Sequence, residues 1–222
     1  MRFGKWFIHT VMAACLILVG LGSGPAWGGA AGYLLKNPDS DVARLFPEST
    51  GYRVVSLDFQ KAGGQKLLAT VEAKMRDQLH GLRERIDAPY DVYVIYRDDK
   101  KIGFIHGVDQ KSPFGGMRIF LALDLKQRIK TLYIQEMKGP HAGKMRAAQF
   151  TKQFTGLSLA DFEQYNVGTQ KATGRVAGIK NPAAQAEQDF RSILRGVKKN
   201  LILMDEFVRM APELSSPKGK SL

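Results

Sequence analysis

The chain has a single cysteine, Cys15, among its 222 residues. Because Cys15 lies in the apolar N-terminal segment, the rest of the chain has no internal disulfide, thiolate zinc site, iron–sulfur cluster or thioether-linked haem. A cysteine nucleophile is excluded there for the same reason. The fold must therefore rest on a hydrophobic core, and a composition of 44% hydrophobic and 24% charged residues is ordinary for a globular protein.

Histidine is scarce, and the common catalytic motifs are absent. His80, His106 and His141 follow the N-terminal segment, and no two of them have the spacing of metal ligands. The sequence has no Gly-x-Ser-x-Gly elbow, no P-loop and no Gly-x-Gly-x-x-Gly pattern. We therefore expect a binding or electron-transfer protein and no metal site. A hydrolase is the weaker alternative, supported only by the scattered histidines and a glycine turn.

Acidic residues are few compared with basic ones. The chain has 33 Lys+Arg against 21 Asp+Glu, a net charge of +12, and without Arg2 and Lys5 the remainder keeps +10. Such a charge favours an anionic ligand or an anionic surface. The basic residues are scattered, with no run longer than the pairs Lys100-Lys101 and Lys198-Lys199. Nucleic-acid binding needs a denser basic stripe with interleaved aromatic residues, so we do not expect it.

The N-terminal segment has the features of an export signal. Arg2 and Lys5 precede an apolar run from Trp6 to Leu21, and small residues end the segment at Gly28. The run is shorter than the roughly 20 residues of a membrane span. We therefore predict that residues 1–28 are a cleaved signal peptide and that the folded part works outside the cytoplasm. An uncleaved membrane anchor, or a lipid on Cys15, is the alternative.

The strand pattern predicts an α+β fold, an antiparallel sheet meander packed with helices. Four short alternating runs are joined by tight polar turns, and a further strand candidate precedes them. These strands are expected at 91–96, 102–108, 117–123 and 129–136, with the further one at 53–59. We place an irregular segment at 29–42, one domain at 43–210 and a flexible tail at 211–222.

Three helices are predicted from apolar residues spaced by three and four. The first spans about 65–85, with a core stripe that begins Leu68, Val71, Met75, and the second spans about 142–154. For the last helix, Asn181 is a suitable N-cap and Pro182 suits the first helical position. A short helical turn is expected at 41–46.

The stretch from 43 to 207 resembles the FMN-binding domain family, the periplasmic flavin carriers of respiratory redox complexes and related regulators. The resemblance rests on the order of short motifs. They are Leu45–Pro47, a strand–turn–strand from Tyr93 to Gly103, a glycine turn at Phe114–Gly116 before a strand that ends at Asp124, and Gln153-Phe154-Thr155-Gly156. The resemblance implies a periplasmic protein, membrane-anchored if the leader is retained, whose partner is a membrane redox complex or a periplasmic electron carrier.

The chain departs from the family at the flavin acceptor. Members carry a Ser/Thr-Gly-Ala-Thr element before the last helix, and a flavin transferase attaches FMN to its threonine. Here only Gly178 matches, and Lys180 occupies the place of the acceptor. Thr173, after Ala172, is a displaced alternative without the flanking residues. We therefore expect any FMN to be noncovalent.

The free N–H groups and the dipole at the start of the last helix suggest a phosphate seat. We place this seat at Lys180 and Asn181, and assign the site to Gly115, Gly116, His141, Gly178, Lys180 and Asn181. The leading hypothesis is an FMN-binding-domain-like protein of an extracytoplasmic electron-transfer chain. The rival is a flavin-free docking or assembly subunit of a membrane redox complex.

Overall fold

The computed structural model of the protein describes residues 34–79 and 89–215. The predicted leader, His80 and the last seven residues lie outside this part. Its helices are α1 Pro38–Leu45, α2 Gly64–Met75, α3 Ala142–Arg146, α4 Ala148–Thr151, α5 Leu159–Phe162, α6 Gly174–Ala177, α7 Glu187–Met210 and α8 Pro212–Ser215. Short 3-10 turns span Lys152–Phe154 and Ala184–Ala186. The strands are β1 Gly51–Leu57, β2 Tyr90–Arg97, β3 Lys100–Ser112, β4 Gly115–Leu123, β5 Ile129–Glu136, β6 Tyr165–Asn166 and β7 Lys171–Ala172.

The main sheet is the predicted antiparallel meander, so the α+β fold class is confirmed. Its five strands follow one another in chain order from β1 to β5. The hairpin between β3 and β4 closes tightly, with Ser112 opposite Gly115. A bulge interrupts the pairing of β2 and β3, because Ile95 faces Gly103 while Tyr96 faces Lys101. The two short strands β6 and β7 form a separate ribbon.

One face of the sheet is covered by the long helix α7, with α2 beside it. Most of the apolar stripe of α7 is buried, including Ile193, Val197 and Leu201, while Phe190 and Val208 are partly buried. A fully buried side chain of this size stabilises the fold by about 1.5–3 kcal/mol. Two buried lysines extend from α7 to carbonyl oxygens. The Nζ of Lys198 donates to Tyr165 O at 2.6 Å, and that of Lys199 to Asp109 O at 2.6 Å.

The first predicted helix is shorter than expected. α2 ends at Met75, and Arg76 has a left-handed backbone with φ of 53°. Arg195 of α7 explains this end, because its guanidinium binds Asp77 Oδ2 at 2.6 Å and Gln78 O at 2.9 Å. The predicted core stripe of this helix is correct at Val71 and Met75. It differs at its first residue, because Leu67 is buried and Leu68 is only partly buried.

The opposite face of the sheet is covered by α1 and the residue that follows it. α1 begins three residues before the predicted 41–46 turn, and its Val42 and Leu45 are buried with Phe46 against the sheet. The start of the described chain is held on the same side. The N–H of Leu35 donates to the Tyr93 hydroxyl at 3.0 Å. Both faces of the sheet are therefore packed.

The predicted helix at 142–154 is broken into two short helices and a 3-10 turn. Ala147, between α3 and α4, is extended with ψ of 142°. Met145 and Phe150 are both buried, yet residues five apart in a continuous helix point about 140° away from each other. The break turns both side chains into one core.

The last helix begins later than predicted and the chain after it is more ordered. α7 starts at Glu187 with Ala186 as its N-cap, so the assignment of Asn181 as N-cap is wrong. Part of the predicted tail is helical, because α8 places Leu214 in the core with 0% exposure. Within 34–79 and 89–215, no helix is long and apolar enough to cross a membrane.

Candidate functional site

A stretch of the chain without acidic residues contributes to the candidate site. Between Glu136 and Asp161 the sequence contains Lys138, Lys144, Arg146 and Lys152 and no aspartate or glutamate. This stretch includes α3, α4 and the 3-10 turn after them. The broken helix therefore carries positive charge that no acid of its own segment compensates, which favours an anionic ligand.

A cavity of about 410 Å³ lies between this segment and the chain before α7. It is lined by Lys144, Ala147, Gln149, Phe150, Gln153, Lys180, Asn181 and Pro182. Two of the predicted site residues, Lys180 and Asn181, are therefore in its wall. The wall contains two lysines and no carboxylate, and no described carboxylate forms an ion pair with either lysine.

The backbone of Lys180 is held by the side chain of Gln153. The N–H of Lys180 donates to Gln153 Oε1 at 2.7 Å, and Gln153 Nε2 donates back to Lys180 O at 3.1 Å. This pair of bonds connects the two walls of the cavity. It also satisfies the Lys180 N–H, so the backbone there has no free donor for a ligand.

The expected phosphate seat at a helix N-terminus is corrected by these contacts. Asn181 Oδ1 accepts the N–H of Ala183 at 3.0 Å, and Asn181 Nδ2 donates to Glu187 Oε2 at 2.9 Å. Glu187 and Asp189 occupy the first turn of α7, where carboxylates already complement the positive end of the helix dipole. The hydrogen bond from Arg191, followed by that from Asn181, lowers the pKa of Glu187 and keeps it anionic. An anion in the cavity would instead be bound by the ammonium groups of Lys144 and Lys180.

The predicted glycine turn lies elsewhere, at the β3–β4 hairpin. Gly115 has φ of 127°, a conformation that favours glycine, and Gly116 follows it in β4. The neighbouring Phe114 is 51% exposed, and its ring lies against Gly139, where an added Cβ would come within 2.4 Å of it. The turn thus packs on the loop that leads to α3, and neither of its glycines lines the cavity.

His141 and Gly178 also lie outside the cavity wall. His141 is the N-cap residue of α3 and is close to Asp189, a buried carboxyl group. Burial raises the pKa of Asp189, and the nearby His141 acts in the opposite direction. Gly178 is exposed at the C-cap of α6. Of the six predicted site residues, Lys180 and Asn181 line the cavity, and the other four are not among its lining residues.

Lys144 and Gln153 are among the residues of the cavity wall that were not predicted. Gln153 belongs to one of the motifs on which the family resemblance rests, but nothing local indicates its bond to Lys180. Lys144 has only the acid-free stretch as a signal. Among the described residues, no group of three His, Cys, Asp or Glu side chains is arranged to hold a metal ion.

Comparison of the chain with protein-family models, with curated proteins and with solved structures gives no match in any of the three. The resemblance to the FMN-binding domain family therefore stays a prediction from the sequence motifs. Two ammonium groups and three side-chain amides, with no base or nucleophile among the lining residues of the cavity, are suited to binding an anion.

Proposed function

We propose that the protein binds FMN noncovalently and serves an extracytoplasmic electron-transfer chain in the periplasm. The observation that carries the proposal is the cavity lined by Lys144 and Lys180, with no carboxylate among its lining residues. The sequence motifs that resemble the FMN-binding domain family favour a flavin over other phosphate compounds as the ligand. A membrane redox complex or a soluble electron carrier is the proposed partner.

The residues of the cavity fit the phosphate end of FMN. Lys144 and Lys180 would hold the phosphate as two point charges, and Gln153 fixes the backbone position of Lys180 through its two hydrogen bonds. When bound, FMN supplies the one- and two-electron chemistry. The protein's part is to bind the flavin and orient it.

Noncovalent attachment agrees with the position of Thr173. This threonine is exposed at the N-cap of α6 and is not part of the cavity wall. Its hydroxyl lies 3.5 Å from Gln164 Oε1. A phosphoester at Thr173 would therefore place the flavin outside the cavity that contains Lys144 and Lys180.

The proposal is tested by comparing FMN with riboflavin, which has the same ring and no phosphate. We expect the fluorescence of FMN to be quenched when the full chain is added. Riboflavin should bind at least about tenfold more weakly. The double variant Lys144→Gln/Lys180→Gln should lose roughly 100-fold in FMN affinity, since a charge-assisted bond contributes about 1.5–3 kcal/mol. Riboflavin affinity should change little in that variant.

The matched control is Lys171→Gln, which removes an exposed lysine of β7 outside the cavity. It should bind FMN as the unmodified protein does. A chain that stays colourless after incubation with excess FMN contradicts the proposal. Flavin that remains attached after denaturation contradicts its noncovalent part and directs attention to Thr173.

One observation favours the flavin-free docking or assembly subunit as a second candidate. The only aromatic residue in the cavity wall is Phe150, which is 1% exposed, so the wall offers no open ring face for the flavin to stack on. This candidate predicts a colourless protein that is recovered with a membrane redox complex at constant stoichiometry after mild detergent extraction. Recovery as a solitary soluble monomer would contradict it.

A further inference from the structure

A second basic cavity lies on the other side of the broken helix. It has a volume of about 490 Å³ and runs along β5, the last strand of the main sheet. The broken helix contributes Arg146, Ala148, Thr151 and Lys152 to this cavity, whereas it contributes Lys144, Ala147, Gln149, Phe150 and Gln153 to the first. We call it the β5 groove.

Four cationic side chains line the β5 groove, and no carboxylate is among its lining residues. Two of the four are held in place. Arg44 lies 4.0 Å above the ring of Tyr133 and donates to Asp41 Oδ1 at 2.7 Å, while Lys130 lies 4.4 Å above the ring of Phe46 and pairs with Glu48. These contacts position two charges along one wall of the groove.

The other two cations, Arg146 and Lys152, are not neutralised by a described acid. The Nε of Arg146 donates to Ala142 O at 3.3 Å, and no described carboxylate forms an ion pair with Arg146 or Lys152. With Asp41 and Glu48 set against the four cations, the groove keeps a net charge of +2. Tyr133, flanked by Arg44 and Arg146, adds a hydroxyl to this basic site.

The chemistry of this lining suits a phosphate group. Arginine presents a planar fork of donors to phosphate oxygens, and lysine adds a compact point charge. A free phosphate and a phospholipid headgroup share this chemistry. The path of the chain favours the headgroup.

The first described residues lie beside β5. Gln135 of β5 holds the start of the described chain, because its Oε1 accepts the N–H of Lys36 at 2.8 Å and its Nε2 donates to Leu34 O at 3.3 Å. Only 13 positions separate Leu34 from Leu21, the end of the apolar run. An extended chain of that length spans at most about 45 Å. If the leader is retained as a membrane anchor, which is the alternative to its cleavage, it keeps β5 near the lipid surface.

We propose that the β5 groove binds the phosphate of anionic phospholipid headgroups and so holds this face of the protein against the membrane. The site is separate from the proposed flavin cavity, and it depends on the leader only for proximity. Juxtamembrane Lys and Arg residues contribute about 1 kcal/mol each to binding of an anionic surface.

The test measures co-sedimentation of the full chain with vesicles of phosphatidylcholine alone or with about one third phosphatidylglycerol. The leader contributes to both, so the informative quantity is the ratio of the two affinities. We expect the double variant Arg146→Gln/Lys152→Gln to lower this ratio by about 25-fold. The single variant Lys152→Gln, at an exposed position, should lower it about fivefold.

The charge-matched control is Lys61→Gln/Lys66→Gln, which removes two exposed lysines near α2. It should change the ratio less than twofold. An equal loss in this control, or an unmodified chain with no preference for phosphatidylglycerol, overturns the proposal. Saturable binding of inorganic phosphate to a chain without vesicle preference assigns the groove to a free phosphate and also overturns it. FMN titration of the Arg146/Lys152 variant should be unchanged, so failure of one proposal is distinguishable from failure of the other.

Discussion

Gly103→Ala is expected to destabilise the fold by about 3 kcal/mol, at the upper end of the usual range for overpacking. An added Cβ at this position would lie 2.3 Å from the carbonyl oxygen of Leu123 and 2.7 Å from the ring of Phe46. The oxygen belongs to β4, which is paired on both sides, so it cannot move without breaking the sheet. The Phe46 ring is fully buried and has no room to retreat.

The prediction is checked by urea denaturation of the variant beside the control Gly51→Ala. Gly51 is also in a strand, but an added Cβ there has no atom within 4 Å, so we expect a change below about 0.5 kcal/mol. A Gly103→Ala midpoint equal to that of the control would show that the sheet and Phe46 shift without cost. Failure of the variant to accumulate as folded protein agrees with the expectation.

This contact also gives a structural reason for two of the sequence motifs. Phe46 belongs to the Leu45–Pro47 motif, and Gly103 ends the strand–turn–strand motif that begins at Tyr93. The absence of a side chain at Gly103, next to the bulge of β2 and β3, makes the space that Phe46 fills. The two motifs therefore meet in one packing contact, between Phe46 and Gly103, and this contact holds α1 on the sheet.

The sheet was predictable because its determinants are local. Each of the strands β2 to β5 is a short run rich in β-branched and aromatic residues with turn residues beside it, and the pattern predicts β5 at its observed bounds, Ile129–Glu136. Strict alternation is absent from β2 and β4, because both faces of the sheet are packed. The fold class follows from the order of these strands. The same reasoning placed the core face of α7, whose apolar residues recur at helical spacing.

Helix ends were not predictable where contacts distant in sequence decide them. α2 ends where Arg195, about 120 residues further on, binds Asp77 and Gln78. Asn181 has the residue type of an N-cap, yet its side chain closes a local turn onto Ala183 and binds Glu187. Asn181 thus makes the side-chain hydrogen bonds of a turn six residues before α7 begins.

The candidate cavity was half predictable for the same reason. Lys180 was identified because it replaces the residue that the family resemblance makes important. Its partner Lys144 comes from another segment, and only the tertiary packing of α3 and α4 brings the two lysines to one cavity. No sequence pattern within either segment indicates that the two lysines line the same cavity.

His106 is expected to make the protein sensitive to mild acid. Its ring is fully buried among Tyr90, Phe207 and Asn200, and its Nδ1 lies 2.9 Å from Asn200 Oδ1. Asn200 Nδ2 donates to the carbonyl oxygen of His106 at 2.9 Å, so Oδ1 is the acceptor and Nδ1 carries the ring proton. Protonation would therefore charge Nε2, which has no described hydrogen-bond partner. Burial, with a smaller contribution from Lys199, lowers the pKa of His106 to about 4, although the bond to Asn200 acts in the opposite direction.

The direction of the pH effect follows from the lowered pKa. Between the ordinary histidine pKa of about 6.5 and the folded value of about 4, the unfolded chain binds a proton that the folded chain does not. The stability linked to His106 is therefore fully present above about pH 6.5, and it falls as the pH decreases toward 4. From near pH 7.5 to near pH 4.5 the loss attributable to His106 is about 2.5 kcal/mol.

Urea denaturation at both pH values checks this with His106→Gln, whose amide N–H can still donate to Asn200 but does not titrate in this range. Carboxyl groups titrate in both proteins, so the contribution of His106 is the difference between their acid losses. Equal acid losses in the unmodified protein and His106→Gln would mean that the imidazole is protonated without cost in the folded state. That outcome requires a partner for Nε2, and hence an opening of the core between Tyr90 and Phe207 that admits water.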